Sequence, residues 1–400
     1  MTGRRRIAAL TTSRAEYGLL RGLLGRLHRH PGFALQVLVS GSHLAPTHGH
    51  TIDAVEADGV PIARRIPTLL AGDTPLEAAE SAGLGLILLG QALADLRPDA
   101  LVLLGDRYEL LPAAAAAAVF GVPITHIHGG EVTLGALDDG IRHALTKLSS
   151  YHFVATRDSA RRVMQMGEPR NRVFRVGALS VDAIRETPRI TRSRLQEHFG
   201  MRLDRPVAVV ALHPETRSEL SPRDHARALV RALERFGLTA VITYPNADPG
   251  REDILQELRG YKRRHPDRTR LVASLGQTLY YSVLAQADLM VGNSSSGLVE
   301  APSFRVPVVN IGDRERGRER ARNVIDCRPE PDCIARAIQR ALSSRFRQTL
   351  RGLRNPFGDG HAAERIVRAL SRVPLGHEAL VKGFADLPRP RRIGRQGRRS

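Results

Sequence analysis

Tryptophan is absent from this chain, cysteine occurs twice, and aromatic residues make up only 4% of its 400 positions. A core without large rings has to be assembled from Ala, Leu, Val and Ile, which suits layered α/β packing. Cys327 and Cys333 have neither a second cysteine pair nor a nearby histidine to complete a metal set, so both read as structural and no metal is expected. Cysteine this sparse suits a reducing compartment, and a soluble, cytoplasmic protein is expected. The apolar part of the N-terminal MTGRRRIAAL breaks at TTSRAEYG, too early for a signal-peptide core. No run approaches the roughly 18 apolar residues of a membrane span, and residues 113–119 read as an alanine-rich helix. Also missing are a GxGxxG after a first strand and a GxxxxGK[ST] loop in a suitable place, which argues against a Rossmann dehydrogenase and a P-loop NTPase. No internal repeat is visible.

Charge of one sign is in excess, with a net +19. Six of the arginines lie in the last thirteen residues, PRPRRIGRQGRRS, without an acid among them, and such Pro/Arg/Gly tails are usually solvated. The rest is spread along helices between Asp and Glu, without basic clusters interleaved with aromatics. That pattern points away from nucleic acid and toward an anionic small substrate.

Four hundred residues exceed what one core usually organises, so two domains of about 150–200 residues are expected. Short β-branched or leucine-rich runs alternate with helical patterns, the signature of βα repeats and parallel sheets. Strands are expected at 7–12, 35–40, 100–105, 123–128, 151–156 and 173–178, then at 207–213, 239–244, 270–274, 288–292 and 307–311. The spacing divides the chain into a first domain at 1–184, a polar connection with a short helix at 185–205, and a second domain at 206–354. A helix at 355–373 is expected to pack across the domains, and 374–400 to be a basic, disordered tail.

In a parallel α/β sheet ligands bind at the carboxyl ends of strands, and polar residues cluster there. HIHGGE (126–131) ends an apolar run and leads into VTLGALDDGIRHALTKLSSYHF. Groups such as His128, Glu131, Asp138, Asp139, Arg142 and His143 need each other, a ligand or water if buried. Asp139 and His143 have the i, i+4 spacing that shares a helix face. TTSRAEYG (11–18) offers a helix start with Arg14, equally an anion site or an ordinary N-cap. In LLGDRYELL (103–111) Asp106 and Arg107 follow a strand, where an acid caps a helix or acts in catalysis. In the second half His213 and Asn246 stand just past strands. DLMVGNSSSGLVEA places Asn-Ser-Ser-Ser-Gly at a helix start, which suits a diphosphate, with Glu300 placed to accept from a ribose diol.

Together, TTSRAEYG, SGSHLAPTHGHT, GDRYE, HIHGGEVTLGALDDGIRHALTKLS, HPET, NADPG and GNSSSGLVEA with the later GDR resemble the UDP-N-acetylglucosamine 2-epimerases, most closely their hydrolysing branch in sialic-acid and nonulosonic-acid synthesis. The resemblance covers about residues 6–370. It implies two Rossmann-like, doubly wound α/β domains in a glycosyltransferase-B arrangement, a UDP-sugar substrate in the cleft, no cofactor or metal, and a homo-oligomer, dimer or tetramer. The implied chemistry eliminates UDP across carbons 1 and 2 to a 2-acetamidoglucal, then adds water to give N-acetylmannosamine or its 2,4-diacetamido-trideoxy analogue. By resemblance Asp106, Glu131, Asp138 and Asp139 are candidates for moving the proton, and His213 faces the leaving diphosphate. Substrate-contacting positions are Arg14, Gly18, Arg107, His128, Arg142, His213 and Asn246 in the order of the chain, followed by Leu275, Ser294, Ser295, Gly297, Glu300 and Arg314. At the position of His128 some relatives carry Glu, which leaves open which group does the acid-base work. Alternatives are the non-hydrolysing epimerase, which retains the nucleotide, a glycosyltransferase of the same architecture, and a non-catalytic nucleotide-sugar or RNA-binding protein.

Overall fold

Leucines 20, 23, 24 and 27 recur at three- and four-residue spacing and are buried along the Arg14–Arg29 helix, which starts where the Ser13 hydroxyl accepts the Glu16 N–H. The strands beside such helices are apolar throughout. Ala100–Leu104 (ALVLL) and Val207–Ala211 (VAVVA) are buried at every position, as in parallel strands covered on both faces. The structure is a computed structural model, and it describes residues 3–45, 51–70, 74–133, 137–215, 220–246 and 249–386.

Two sheets result. The first holds β1 (Arg5–Thr11), β2 (Phe33–Ser40), β3 (Ile62–Ile66), β4 (Ala100–Leu104), β5 (Ile124–Ile127), β6 (Tyr151–Val154) and β7 (Val173–Arg175), in the order β3-β2-β1-β4-β5-β6-β7. The second holds β8 (Val207–Ala211), β9 (Thr239–Thr243), β10 (Thr269–Val272), β11 (Leu289–Gly292), β12 (Val308–Ile311) and β13 (Val324–Cys327), in the order β10-β9-β8-β11-β12-β13. Every pairing is parallel. The strand order reverses between β1 and β4 and again between β8 and β11, and these switch points open the crevices where such sheets bind ligands. At the second one Gly292 adopts φ +141°, and a Cβ there would lie 1.9 Å from the Ala211 carbonyl oxygen. No side chain fits while β8 and β11 end this close together.

Two strands escape the sequence pattern, β3 and β13. Each is the edge of its sheet, and IARRI in β3 exposes both arginines, so the apolar run that marks a buried strand is missing. The 185–205 connection carries the Arg192–Phe199 helix, and its Leu195, Phe199, Met201 and Leu203 are buried in the core of the second sheet. The Ala362–Leu370 helix buries Ala362, Ala363, Ile366 and Leu370 against the first domain's Leu20 and Leu24. Asp182 caps it by accepting the N–H groups of Ala362 and Ala363, each at 2.8 Å. The chain therefore crosses back from the second domain to finish on the first.

Of the tail expected to be disordered from 374 onward, residues 374–386 are described and are held on the first domain. Lys382 donates to Glu168 at 2.8 Å and to the Ser149 carbonyl at 2.6 Å, Arg172 holds the Ala379 and Val381 carbonyls, and Ala385 N–H bonds Gly167 O at 2.8 Å. These polar anchors add to the apolar packing of Leu375 and Ala379. Residues 387–400, with their arginines, lie outside the described residues. The expectation that no stretch could span a membrane also changes. The Pro75–Leu96 helix is long and apolar enough by length and composition, although it packs one face on the Leu110–Val119 helix.

Candidate active site

The first switch point is built around a buried arginine. Arg142, on the Leu137–Leu148 helix, is 2% exposed. Its Nη1 donates to the Glu131 carbonyl at 2.8 Å and to Asp139 Oδ1 at 3.1 Å, and its Nη2 to Thr133 Oγ1 at 2.9 Å and to Asp106. One guanidinium fork thus fixes the turn after β4, the loop after β5 and the following helix. Asp139 also accepts the Thr133 N–H at 2.8 Å and stands 3.6 Å from His143 Nε2. Asp138 is more open. Partial desolvation, then the charge of Asp106, push its carboxyl above the usual range.

His126 supports the turn from behind. Its Nε2–H donates to the Gly105 carbonyl at 2.7 Å, with the Thr146 hydroxyl 3.3 Å from Nδ1. Full burial pulls its pKa down to about 3, so it is a neutral brace immediately before Asp106. His128 has φ +68°, an uncommon conformation for a residue with a side chain. Its Nε2 accepts the Leu179 N–H at 3.4 Å, and its Nδ1 lies 3.2 Å from Glu131 Oε1, off the line of a hydrogen bond. Burial would raise the Glu131 carboxyl, but His128, Arg318 and Arg142 more than offset this and hold it down at about 2. Glu131 is an ionised carboxylate. The Gly130 backbone at φ +75° lets the loop pass the Ser159 carbonyl, which a Cβ would approach to 2.3 Å.

At the second switch point His213 and Asn293 tie the ends of β8 and β11 together. His213 N–H donates to Asn293 Oδ1 at 2.7 Å, and Asn293 Nδ2 donates back to the His213 carbonyl at 2.9 Å. His213 Nδ1 accepts the Asn246 N–H at 3.1 Å, which puts the ring proton on Nε2. Burial, then the neighbouring Arg314 charge, lower its pKa to about 4, so it offers a neutral N–H donor beside a cation. Arg314 Nη1 donates to the Asn293 carbonyl at 3.2 Å and to Glu315 at 2.8 Å. Residues 294–296 follow Asn293 at the end of β11. The Ser296 hydroxyl sits between Tyr280 and Glu300, Tyr281 donates to Glu300 Oε1 at 3.4 Å, and burial raises the Glu300 carboxyl.

A cavity of about 770 Å³ lies between the domains, lined by Arg14, Gly18, Leu275, Gln277, Tyr280 and Glu300 among others. Gln277 Nε2 spans it to the Gly18 carbonyl at 3.3 Å. The residues expected from the sequence therefore fall into three places. Asp106, His128, Glu131, Asp139 and Arg142 share one network, with Asp138 at its edge. His213, Asn246 and Arg314 meet at the second switch point, beside Ser294 and Ser295. Arg14, Gly18, Leu275 and Glu300 line the cavity. Arg107 does not join them in this structure, because it is paired with Glu109 at 2.5 Å. Gly297 shows a packing role, since a Cβ there would meet Val308 Cγ1 at 2.8 Å.

The sequence reading missed Glu16, which accepts both the Thr12 N–H (3.1 Å) and hydroxyl (2.7 Å) and whose pKa burial raises to about 7. It also missed Asn293, Glu315 and Arg318. Asn293 lies inside the quoted GNSSSG, and the alternating charges of GDRERGRER were the available signal for the other two. Among the described residues no group of three or more His, Cys, Asp or Glu is arranged to hold a metal ion, and both cysteines are free.

Comparison with known proteins gives a consistent result. A sequence profile of the UDP-N-acetylglucosamine 2-epimerase family matches residues 25–371. The chain is 36% identical over 379 residues to the UDP-N,N'-diacetylbacillosamine 2-epimerase (hydrolyzing) of Legionella pneumophila, covering 94% of this chain and 98% of that one. It is 34% identical to the GDP/UDP-N,N'-diacetylbacillosamine 2-epimerase (hydrolyzing) of Campylobacter jejuni, covering 96% and 100%. In fold it is similar to the UDP-GlcNAc 2-epimerase of Neisseria meningitidis bound to UDP-GlcNAc, with a TM-score of 0.79 at 18% identity over 92% of this chain and 100% of that one.

Proposed function

The chain belongs to the UDP-N-acetylglucosamine 2-epimerase family, and on that premise we propose that it is a hydrolysing 2-epimerase. Its substrate is a UDP-2-acetamido sugar, and its products are UDP and the free manno-configured sugar. The observation that carries this reading is that two sets of groups are brought together where Arg318 of the second domain bonds Val132 and Thr133 of the first. Carboxylates are gathered on Arg142 on one side, and the neutral His213 stands beside Arg314 on the other. The names of the two hydrolysing relatives favour release of free sugar over a retained nucleotide sugar.

In this mechanism the uracil and ribose lie in the cavity, with Glu300 accepting from the ribose diol. The diphosphate meets Arg314, His213 Nε2–H and the N–H and hydroxyl groups of Ser294 and Ser295. A carboxylate of the first network removes the C2 proton, the C1–O bond breaks, and UDP leaves with the bond's electron pair. Donors placed where charge accumulates speed that departure. Water then adds its oxygen to C1 of the 2-acetamidoglucal while a carboxyl on the opposite face returns a proton to C2, inverting it. Asp138, with its raised carboxyl, is assigned the return, and Asp106 the removal. Glu131 and Asp139 hold the charge balance around Arg142.

Two further parts of the proposal concern assembly and place. The Pro75–Leu96 helix exposes Leu86 and Ile87, and the neighbouring Val119 and Phe120 are also exposed, with Phe120 packed beside Gly90. A contiguous apolar patch of this kind fits a second copy of the chain. The enzyme works in the cytoplasm, where nucleotide sugars are supplied.

The deciding experiment incubates the protein with UDP-N-acetylglucosamine and with UDP-N,N'-diacetylbacillosamine in deuterated water and follows products by proton NMR. A free manno sugar with deuterium at carbon 2, plus UDP, is expected from at least one. An equilibrium of nucleotide sugars would mean the non-hydrolysing reaction, and two unchanged substrates would refute the proposal.

A further inference from the structure

Besides helping to hold Glu131 ionised, Arg318 reaches from the second domain to the first. It sits in the loop after β12, four residues beyond Arg314. Its Nε donates to the Val132 carbonyl at 3.3 Å and its Nη2 to Thr133 Oγ1 at 3.1 Å. Thr133 Oγ1 is the same atom that accepts Arg142 Nη2 at 2.9 Å, so one hydroxyl takes an arginine from each domain. Behind it, Arg318 Nη1 stands 3.3 Å from Glu315 Oε2, while the other carboxylate oxygen holds Arg314 at 2.8 Å. The Glu315 side chain is 3% exposed.

We infer that Arg318 is a positioning residue that couples occupancy of the diphosphate side of the cleft to the seating of the carboxylate loop. The inference rests on the preceding reading of which side binds the diphosphate. Glu315 is a buried acid shared by two arginines, and a buried carboxylate stays ionised only while a cation pairs with it. A diphosphate arriving at Arg314 draws that guanidinium away, and Glu315 then depends on Arg318. Held from behind in this way, the Arg318 fork keeps Val132 and Thr133 in place. Thr133 in turn orients Arg142 through its hydroxyl and Asp139 through its N–H. The carboxylates are thus in register when the leaving group is bound. Arg318 is also one of the charges that hold Glu131 ionised.

The test compares Arg318→Met, Arg318→Lys and Thr133→Val with the wild type, after melting curves establish that each is folded. For Arg318→Met, UDP affinity by calorimetry should stay within about threefold. Turnover should fall on the order of 100-fold, the scale of a misplaced catalytic group. The acid limb of the kcat/KM profile should move to higher pH in Arg318→Met, and stay in place in Arg318→Lys and Thr133→Val, which keep the charge. UDP should slow amide exchange at Val132 and Thr133 in the wild type and not in Arg318→Met. Unchanged turnover in Arg318→Met, or a parallel loss of turnover and UDP affinity with an unmoved pH profile, would overturn the inference. A wild type that binds UDP without turnover would refute the proposed reaction alone, because the exchange measurement still decides the coupling.

Discussion

Replacing Arg142 by methionine tests the central claim that one buried guanidinium organises the carboxylate side of the cleft. Four acceptors lose a donor, the Glu131 carbonyl, Thr133 Oγ1, Asp139 and Asp106, while Thr133 Oγ1 keeps Arg318 and Asp139 keeps the Thr133 N–H. The two carboxylates are 26% and 27% exposed, so water recovers part of their loss, and about 1 kcal/mol each is appropriate rather than the full value for a charged bond. The two neutral acceptors add about 0.5–1 kcal/mol each. Methionine refills part of the volume, which leaves a net loss of about 2–3 kcal/mol. In a domain of this size that lowers Tm by about 5–10 °C, measurable by calorimetry. The catalytic effect should be separate and larger. With Asp106 no longer oriented, product release followed by NMR should slow at least about 100-fold, equivalent to about 2.7 kcal/mol in the barrier. Lysine at 142 keeps the charge but cannot span four acceptors, so Arg142→Lys should recover less than about tenfold of that loss. Turnover in Arg142→Met within threefold of wild type, at a normal Tm, would refute the reasoning.

Acid sensitivity follows from His126 and His213. Their folded pKa values, about 3 and about 4, lie below the unfolded value of 6.5, so the unfolded chain binds more protons between pH 4 and 6.5. Stability therefore rises through that window with increasing pH and is lost on acidification, by up to about 1.4 kcal/mol per pH unit for each histidine. Urea titrations at pH 4.5–7.5 should show a shallower slope for His126→Gln, whose amide still donates to Gly105; an identical slope would sink the assignment. For the proposed self-association, Ile87→Glu with Val119→Glu should reduce the light-scattering mass toward the 43.8 kDa of a single chain. A wild type already at that mass, or an unchanged assembly in the variant, would exclude this face.

The buried strands were readable because burial on both faces leaves an unbroken apolar run, as in ALVLL and VAVVA. The edge strand IARRI lacks that run, because solvent replaces one neighbour and arginines become acceptable. Residues of the candidate site were legible where chemistry-bearing types crowd a strand end, as with Asp106, His128 and Glu131, which the structure brings into one network around Arg142. Arg318 and Glu315 were not, because their significance lies in a contact 185 residues away in sequence. Nothing local distinguishes them from the surface charges around them. His126 illustrates the converse: a histidine buried within a strand is satisfied by the Gly105 carbonyl of the neighbouring turn, which no periodicity reveals.

That leaves His128, the position where the family resemblance offers either of two side chains. Geometry argues for an orienting rather than a proton-abstracting role. Its Nε2 lone pair is already engaged by the Leu179 N–H at 3.4 Å, so the proton sits on Nδ1, facing Glu131 at 3.2 Å. A base needs an unengaged lone pair directed at substrate. Here the one lone pair is turned into the start of the Leu179–Glu186 helix, and the left-handed backbone at φ +68° sets that direction. Freeing it would require a ring flip that trades the Leu179 bond for a proton donor opposed to a backbone N–H. In the proposed mechanism the acid-base burden therefore falls on Asp106 and Asp138, and His128 serves to hold the loop after β5 against the start of the Leu179–Glu186 helix.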